Sequence, residues 1–216
     1  MGDGTAAQPD PRDGDGDVHG VSGRRLTEED YRIAKGELER EGSWRETAAR
    51  NLDIIELVHR LEAENRQPTA EEKALLVKYV GWGASVIRNG IFYTFSTYGE
   101  LYPQYADPAY RDLVVRAKEI MTPEEIRSAA QSSQYAHYTS ESIIRSIYNA
   151  LERFGFPGGK ILEPGMGIGH FWGLAPDSIA RGSTYTGVER DAITAKIAKL
   201  LYPNQSVSQA PCHQPL

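Results

Sequence analysis

The stretch Ile161-Leu162-Glu163-Pro164-Gly165-Met166-Gly167-Ile168-Gly169 decides how this chain is read. Lys160-Ile161-Leu162-Glu163 has the character of a short buried strand, and three alternating glycines follow at once. Glycine is needed where a side chain would fill a ligand's volume, or where φ must be positive. In open α/β sheets, ligands lie beyond the carboxyl ends of the strands. The next strand, Thr184-Tyr185-Thr186-Gly187-Val188-Glu189, ends in a second acid facing the same crevice. A carboxylate there accepts hydrogen bonds from both hydroxyls of a ribose. An amphipathic helix, Asp191 to Leu201, comes next. Strand, glycine loop, helical crossover, strand and helix form the first unit of a parallel α/β sheet.

Two ligands compete for such a loop. A dinucleotide site wants Gly-x-Gly-x-x-Gly with the pyrophosphate on a helix N-terminus. Here the glycines fall at 165, 167 and 169, so the third arrives one residue early. Glu163 would also repel a pyrophosphate placed beside it. S-adenosylmethionine (AdoMet) has no phosphate and carries a sulfonium and an ammonium group, which suit an acidic strand end. The remaining alternative is a glycine-rich turn with no ligand.

Working outward, residues 1–25 are rich in Gly, Asp and Pro and are expected to be a disordered tail. Residues 26–134 read as helical. Thr27 before Glu28-Glu29-Asp30 is a helix start, and Ser43 with Glu46 has the spacing of a capping box. Ala48, Leu52, Ile55, Val58 and Leu61 recur at helical intervals. Thr69 opens another helix that stops at Gly81-Trp82-Gly83, a further one covers Pro108 to Ile120, and Thr122-Pro123-Glu124-Glu125 begins one more. Residues 135–207 read as a partial α/β domain with two strands, after a helix capped by Ser140, and residues 208–216 as an irregular tail. The fold class expected is α/β, a helical region followed by an incomplete Rossmann-like sheet.

Net charge is −6, part of it from five Asp and one Arg in the first twenty residues. No basic patch argues for nucleic acid. One cysteine, Cys212, cannot form an internal disulfide, and no Cys/His set has metal-ligand spacing. The simplest compartment is the reducing cytoplasm. No apolar run suggests a secretion signal or a membrane span.

Three segments then resemble a family. Ala136-His137-Tyr138-Thr139-Ser140, then Leu162 to Phe171, then Gly187-Val188-Glu189-Arg190-Asp191 are similar to the first motifs of N6-adenine DNA methyltransferases. The likeness is greatest to the large methylase–helicase proteins of plasmids and other mobile elements. It extends upstream through Glu64 to Thr69 and Leu76-Val77-Lys78-Tyr79-Val80-Gly81-Trp82-Gly83, covering about residues 26 to 205. The resemblance implies that Tyr138 and Thr139 line the methionine end of AdoMet. It implies that Glu163, with Pro164 and the backbone of Gly165, Gly167 and Gly169, cradles the amino-acid part, and that Glu189 holds the ribose. Asp191 reads more readily as the N-cap of the following helix than as a ligand contact. Phe171 is placed to touch the cofactor or to join the core. His137 alone reads as an ordinary histidine.

The family's catalytic motif, Asn/Asp-Pro-Pro-Tyr/Phe, orients the amino group of a flipped base. It is absent from these 216 residues, and the stretch after Val207 departs from the family pattern. The expectation is a fragment from a truncated or frameshifted gene, inactive alone and with weak or no DNA affinity. A non-catalytic helical adaptor with a vestigial cofactor loop is the alternative, and a nucleotide-binding oxidoreductase domain a third.

Overall fold

In a computed structural model, residues 25–39, 42–134 and 136–210 are described. The tail expected over residues 1–25, apart from Arg25, and the end of the one expected over 208–216 lie outside them. The described residues form a mixed helical and sheet structure. Five helices, α1 (Trp44–Glu64), α2 (Ala70–Leu76), α3 (Ser85–Phe92), α4 (Arg111–Ile120) and α5 (Pro123–Ser132), precede α6 (Glu141–Arg153). Then come β1 (Lys160–Pro164), α7 (His170–Leu174), α8 (Asp177–Ala180), β2 (Thr184–Glu189), α9 (Ala192–Leu201) and β3 (Ser206–Gln209). The sheet is parallel, in the order β1-β2-β3.

The helix starts are set locally. Ser43 Oγ accepts from Glu46 N at 3.2 Å while Glu46 accepts from Ser43 N, and Thr69–Glu72 and Thr122–Glu125 make the same reciprocal pair. Each satisfies two backbone donors that the first turn leaves unpaired.

Four expectations are corrected. Thr27 does not start a helix. Its amide donates to Asp30 Oδ2 at 2.7 Å, closing a turn, and residues 25–39 form a strap over the α/β part. Tyr31 N donates to Leu201 O at 2.9 Å and Ile33 N to Gly173 O at 3.0 Å. Those long-range bonds replace the helical ones that the sequence pattern favours. The segment after Val207 is not irregular from Ser208, since β3 runs to Gln209 and Ala210 N donates to Glu189 O at 3.0 Å. β2 supplies the ladder that the residues of β3 do not demand by themselves. The helix from Thr69 stops at Leu76, short of Gly81. Leu162 is 56% exposed, so β1, an edge strand of the three, is not the buried strand expected: the face that carries Leu162 is left largely uncovered.

One hydrophobic cluster joins the two regions. It runs from Leu52, Ile55 and Leu61 of α1 through Trp82 and Ile91 to Trp172, Tyr185, Ile197 and Tyr202. α9 touches α1, α2 and α5 as well as β2 and β3, so the helical region and the sheet share a core. The tightest join is at Gly83. A Cβ there would sit 1.8 Å from Ala136 O, so the turn after α2 lies directly on the strip before α6. Buried Asn51 fixes that turn by donating to Gly81 O at 2.6 Å.

Gly83→Ala is expected to destabilise the chain by about 3 kcal/mol, because backbone and not a flexible side chain must yield. Gly159→Ala, whose Cβ would meet only ordinary contact at 3.7 Å, is expected to change stability by less than about 0.5 kcal/mol. Urea denaturation of the two variants measures the difference.

Candidate functional site

The loop after β1 is held by β2. Gly165 N and Met166 N both donate to Val188 O, at 2.8 and 3.0 Å, which turns the chain sharply as the strand ends. Gly165 has φ +72°, and a Cβ built on it would meet nothing within 4 Å. Its glycine is demanded by the backbone, and the space beside it is open. Gly167 has φ +58° and Gly169 φ +86°. A Cβ on Gly169 would come within 2.5 Å of the Tyr202 ring, and Tyr202 Oη donates to Gly169 O at 2.7 Å. The third glycine therefore serves packing, and the first leaves room.

Glu189 ends β2 and reaches back to the loop. Its Oε2 accepts from Gly167 N at 2.8 Å and its Oε1 from Asp191 N at 2.8 Å. One carboxylate thus ties the middle of the loop to the start of α9. Burial pushes its pKa up, and the two amide hydrogen bonds work against that rise.

Glu163 is placed differently. It is partly buried, and its Oε2 has no hydrogen-bond partner and no contact with water. Burial first, and the neighbouring Glu189 charge second, push its carboxyl up to about 8. An unpaired buried carboxylate is costly, so Glu163 holds its proton at neutral pH unless a cation comes near.

Around these acids lies a cavity of about 580 Å³. Of the residues that the sequence singled out, Tyr138, Thr139, Glu163, Pro164, Gly165, Gly167, Phe171, Glu189 and Asp191 line it, and Gly169 does not. Tyr138 packs on Gly167, with Cε1 3.0 Å from the position of a Gly167 Cβ. Its hydroxyl is held protonated well above the usual range by burial and by the charges of Glu189 and Asp191. Asp191 is spent on structure: Oδ1 accepts from Thr194 N at 2.9 Å, capping α9, and Oδ2 from Ser128 Oγ at 3.0 Å. Phe171 packs against the core beside Tyr148, as weighed for it, and also lines the cavity.

The structure adds residues that periodicity did not select. Gly81 and Trp82 complete the wall from the helical side. His170 follows the third glycine and is buried, with both ring nitrogens unpartnered and its ring 5.0 Å from that of Tyr138. Burial drives its pKa down to about 4, so the imidazole is neutral. The signal available in the sequence was the Gly81-Trp82-Gly83 segment, whose glycines mark a close approach. On Gly187, a Cβ would lie 2.1 Å from Met166 Sδ and 2.8 Å from Trp172, so this glycine lets the loop and α7 press onto β2. His137 lines the cavity as well.

The residues present fit a cationic ligand: an unpartnered acid, a second acid, open space at Gly165 and a protonated phenol. They do not fit a pyrophosphate, which would lie against two carboxyl groups. Among the described residues no cluster of His, Cys, Asp or Glu has the arrangement of a metal site, and no helix is long and apolar enough to cross a membrane. Compared with protein families, with curated proteins and with solved structures, the chain matches none.

A carboxyl group with a raised folded-state pKa favours the fold below its unfolded value, near 4.5, and loses that contribution as pH rises through about 8. Glu163→Gln removes this dependence. The variant is expected to match the parent at pH 5 and to exceed it by on the order of 2 kcal/mol at pH 9. Thermal or urea denaturation at the two pH values measures it.

Proposed function

We propose that the crevice beyond β1 and β2 binds S-adenosylmethionine, in a Rossmann-like sheet of the class I methyltransferase kind. The chain then carries the cofactor half of a DNA adenine-N6 methyltransferase of the methylase–helicase type. The observation that carries this reading is Glu163, a cavity-lining acid beside the glycine loop whose buried Oε2 has no partner, accompanied by Glu189. Such a pair selects a ligand with positive charge. The bound cofactor supplies an electrophilic methyl group on a sulfonium centre.

Each residue then has a role. Glu163 accepts from the cofactor's ammonium group. Gly165 and Gly167 leave its amino-acid part space and backbone contacts. Glu189 keeps the loop in shape and offers its remaining lone pairs to the ribose. Tyr138, Thr139 and Phe171 bound the methionine end, while Asp191 and Gly169 act through the fold and not by contact. The motif segments Ala136–Ser140, Leu162–Phe171 and Gly187–Asp191 support the adenine-methyltransferase assignment by resemblance. Without an Asn-Pro-Pro-Phe-like motif in the 216 residues, nothing orients an acceptor amine, so this chain alone holds cofactor without methylating DNA. Its net charge of −6 accords with weak DNA affinity.

A second reading is a non-catalytic helical adaptor with a vestigial loop. One observation favours it: both oxygens of Glu189 are already engaged by backbone amides, so the loop keeps its shape without a ligand.

Calorimetric titration separates the two. AdoMet is expected to bind, and Glu189→Ala to weaken binding by about 1.5–3 kcal/mol, or roughly 10- to 100-fold. The same preparation is expected to transfer no labelled methyl to duplex DNA. Absence of AdoMet binding favours the adaptor, and binding of NAD in its place overturns the ligand assignment.

A further inference from the structure

The helix α6 carries two apolar faces. Ile144, Tyr148 and Leu151 stand on the inner one, where the first two are buried and Leu151 packs against the core. Tyr148 Oη donates to Phe171 O at 2.8 Å, which holds that face against α7. The other face is uncovered. On it Ile143 is 54% exposed, Ile147 42% and Phe154, the C-cap residue, 85%. Ala150, half-buried, completes the row. Large apolar side chains gathered on one exposed face mark a contact surface, whereas scattered ones need no explanation.

At 3.6 residues per turn, Ile143, Ile147, Ala150 and Phe154 fall within about 60° of one another around the helix axis. Their intervals are four, three and four residues. That is the spacing of a coiled-coil seam. It is also a palindrome, so the row falls on itself when it is reversed end to end. A twofold axis beside its midpoint sets Ile143 against the partner's Phe154 and Ile147 against the partner's Ala150. Two bulky side chains then meet at each end, and the small Ala150 leaves room for Ile147 between them. Such a surface is isologous, the kind from which a symmetric pair is built. No charged side chain stands in the row, and the antiparallel arrangement opposes the two helix dipoles.

Other occupants suit the face less. Residues 1–24 contain no Leu, Ile or aromatic side chain, and residues 211–216 a single Leu. An anionic bilayer attracts basic segments, whereas this chain carries a net charge of −6.

We infer that the outer face of α6 is a self-association surface, on which a second copy of this chain lies antiparallel, with Ile143 against the partner's Phe154. The inference is independent of the AdoMet reading, and none of the four residues lines the glycine-loop cavity. The row from Ile143 to Phe154 spans less than two heptads. A contact of that length is small for a permanent dimer, so the pair is reversible and its population follows concentration.

Sedimentation equilibrium of the 216-residue chain, over about two orders of magnitude in concentration, tests this. A reversible monomer–dimer equilibrium is expected. Ile147→Glu sets two like charges near the axis and is expected to raise the dissociation constant by about tenfold or more. A thermal midpoint equal to the parent's, at a concentration where the parent is monomeric, confirms that the variant folds. Complementation reads the register. Ile143→Lys and Phe154→Asp are each expected to weaken self-association. Mixed, the two variants are expected to form a heterodimer tighter than either homodimer, because the introduced charges then attract at one end while Ile143 and Phe154 stay paired at the other. A parent chain that remains monomeric throughout overturns the inference. Association that Ile147→Glu leaves unchanged, or a mixture in which no heterodimer forms, overturns it equally.

Discussion

The Glu189 carboxylate is the contact on which the site depends. It ends β2, and through its two oxygens it fixes both Gly167 of the loop and Asp191 at the head of α9. Three elements that meet at the crevice are thereby held by one side chain. With Glu189 committed to amides, the acid left unpartnered is Glu163, protonated at neutral pH and with no hydrogen bond to its Oε2. The two acids are not equivalent: one organises the loop, and the other awaits a charge.

The second constraint is steric. Gly81 and Gly83 let the turn after α2 lie against Ala136 and Tyr138, and Tyr138 in turn rests on Gly167. A chain of close contacts thus runs from Asn51 in α1 to the glycine loop. Packing this dense transmits displacement, so the helical region cannot be a loosely tethered neighbour. It supplies Trp82 and Gly81 to the cavity.

Much of this was legible in the sequence, for reasons that differ by element. The capping boxes at Ser43, Thr69 and Thr122 formed as spaced because they are local, three residues from end to end. The unit β1, loop, β2 and α9 was legible because glycines and acids at strand ends have few structural uses. Asp191 was legible as a cap for the same reason. The strap 25–39 was not, because bonds to Leu201 and Gly173 override its helical periodicity. β3 was not, because Ser206-Val207-Ser208-Gln209 becomes a strand through β2's backbone and not through its own side chains. The exposure of Leu162 was hidden too, since a buried and an edge strand of this length read alike. His170 carries no periodic signal, and only the fold reveals it at the cavity wall.

The central claim is that an acid pair at the strand ends recognises a cationic cofactor. AdoMet calorimetry at pH 7 in two buffers of different ionisation enthalpy tests it most directly, because it counts protons. If Glu163 is protonated in the free chain and ionises against the cofactor's charge, binding releases a proton, and Glu163→Gln abolishes that release. AdoMet binding with no proton released by the parent chain, or no AdoMet binding at all, contradicts the account.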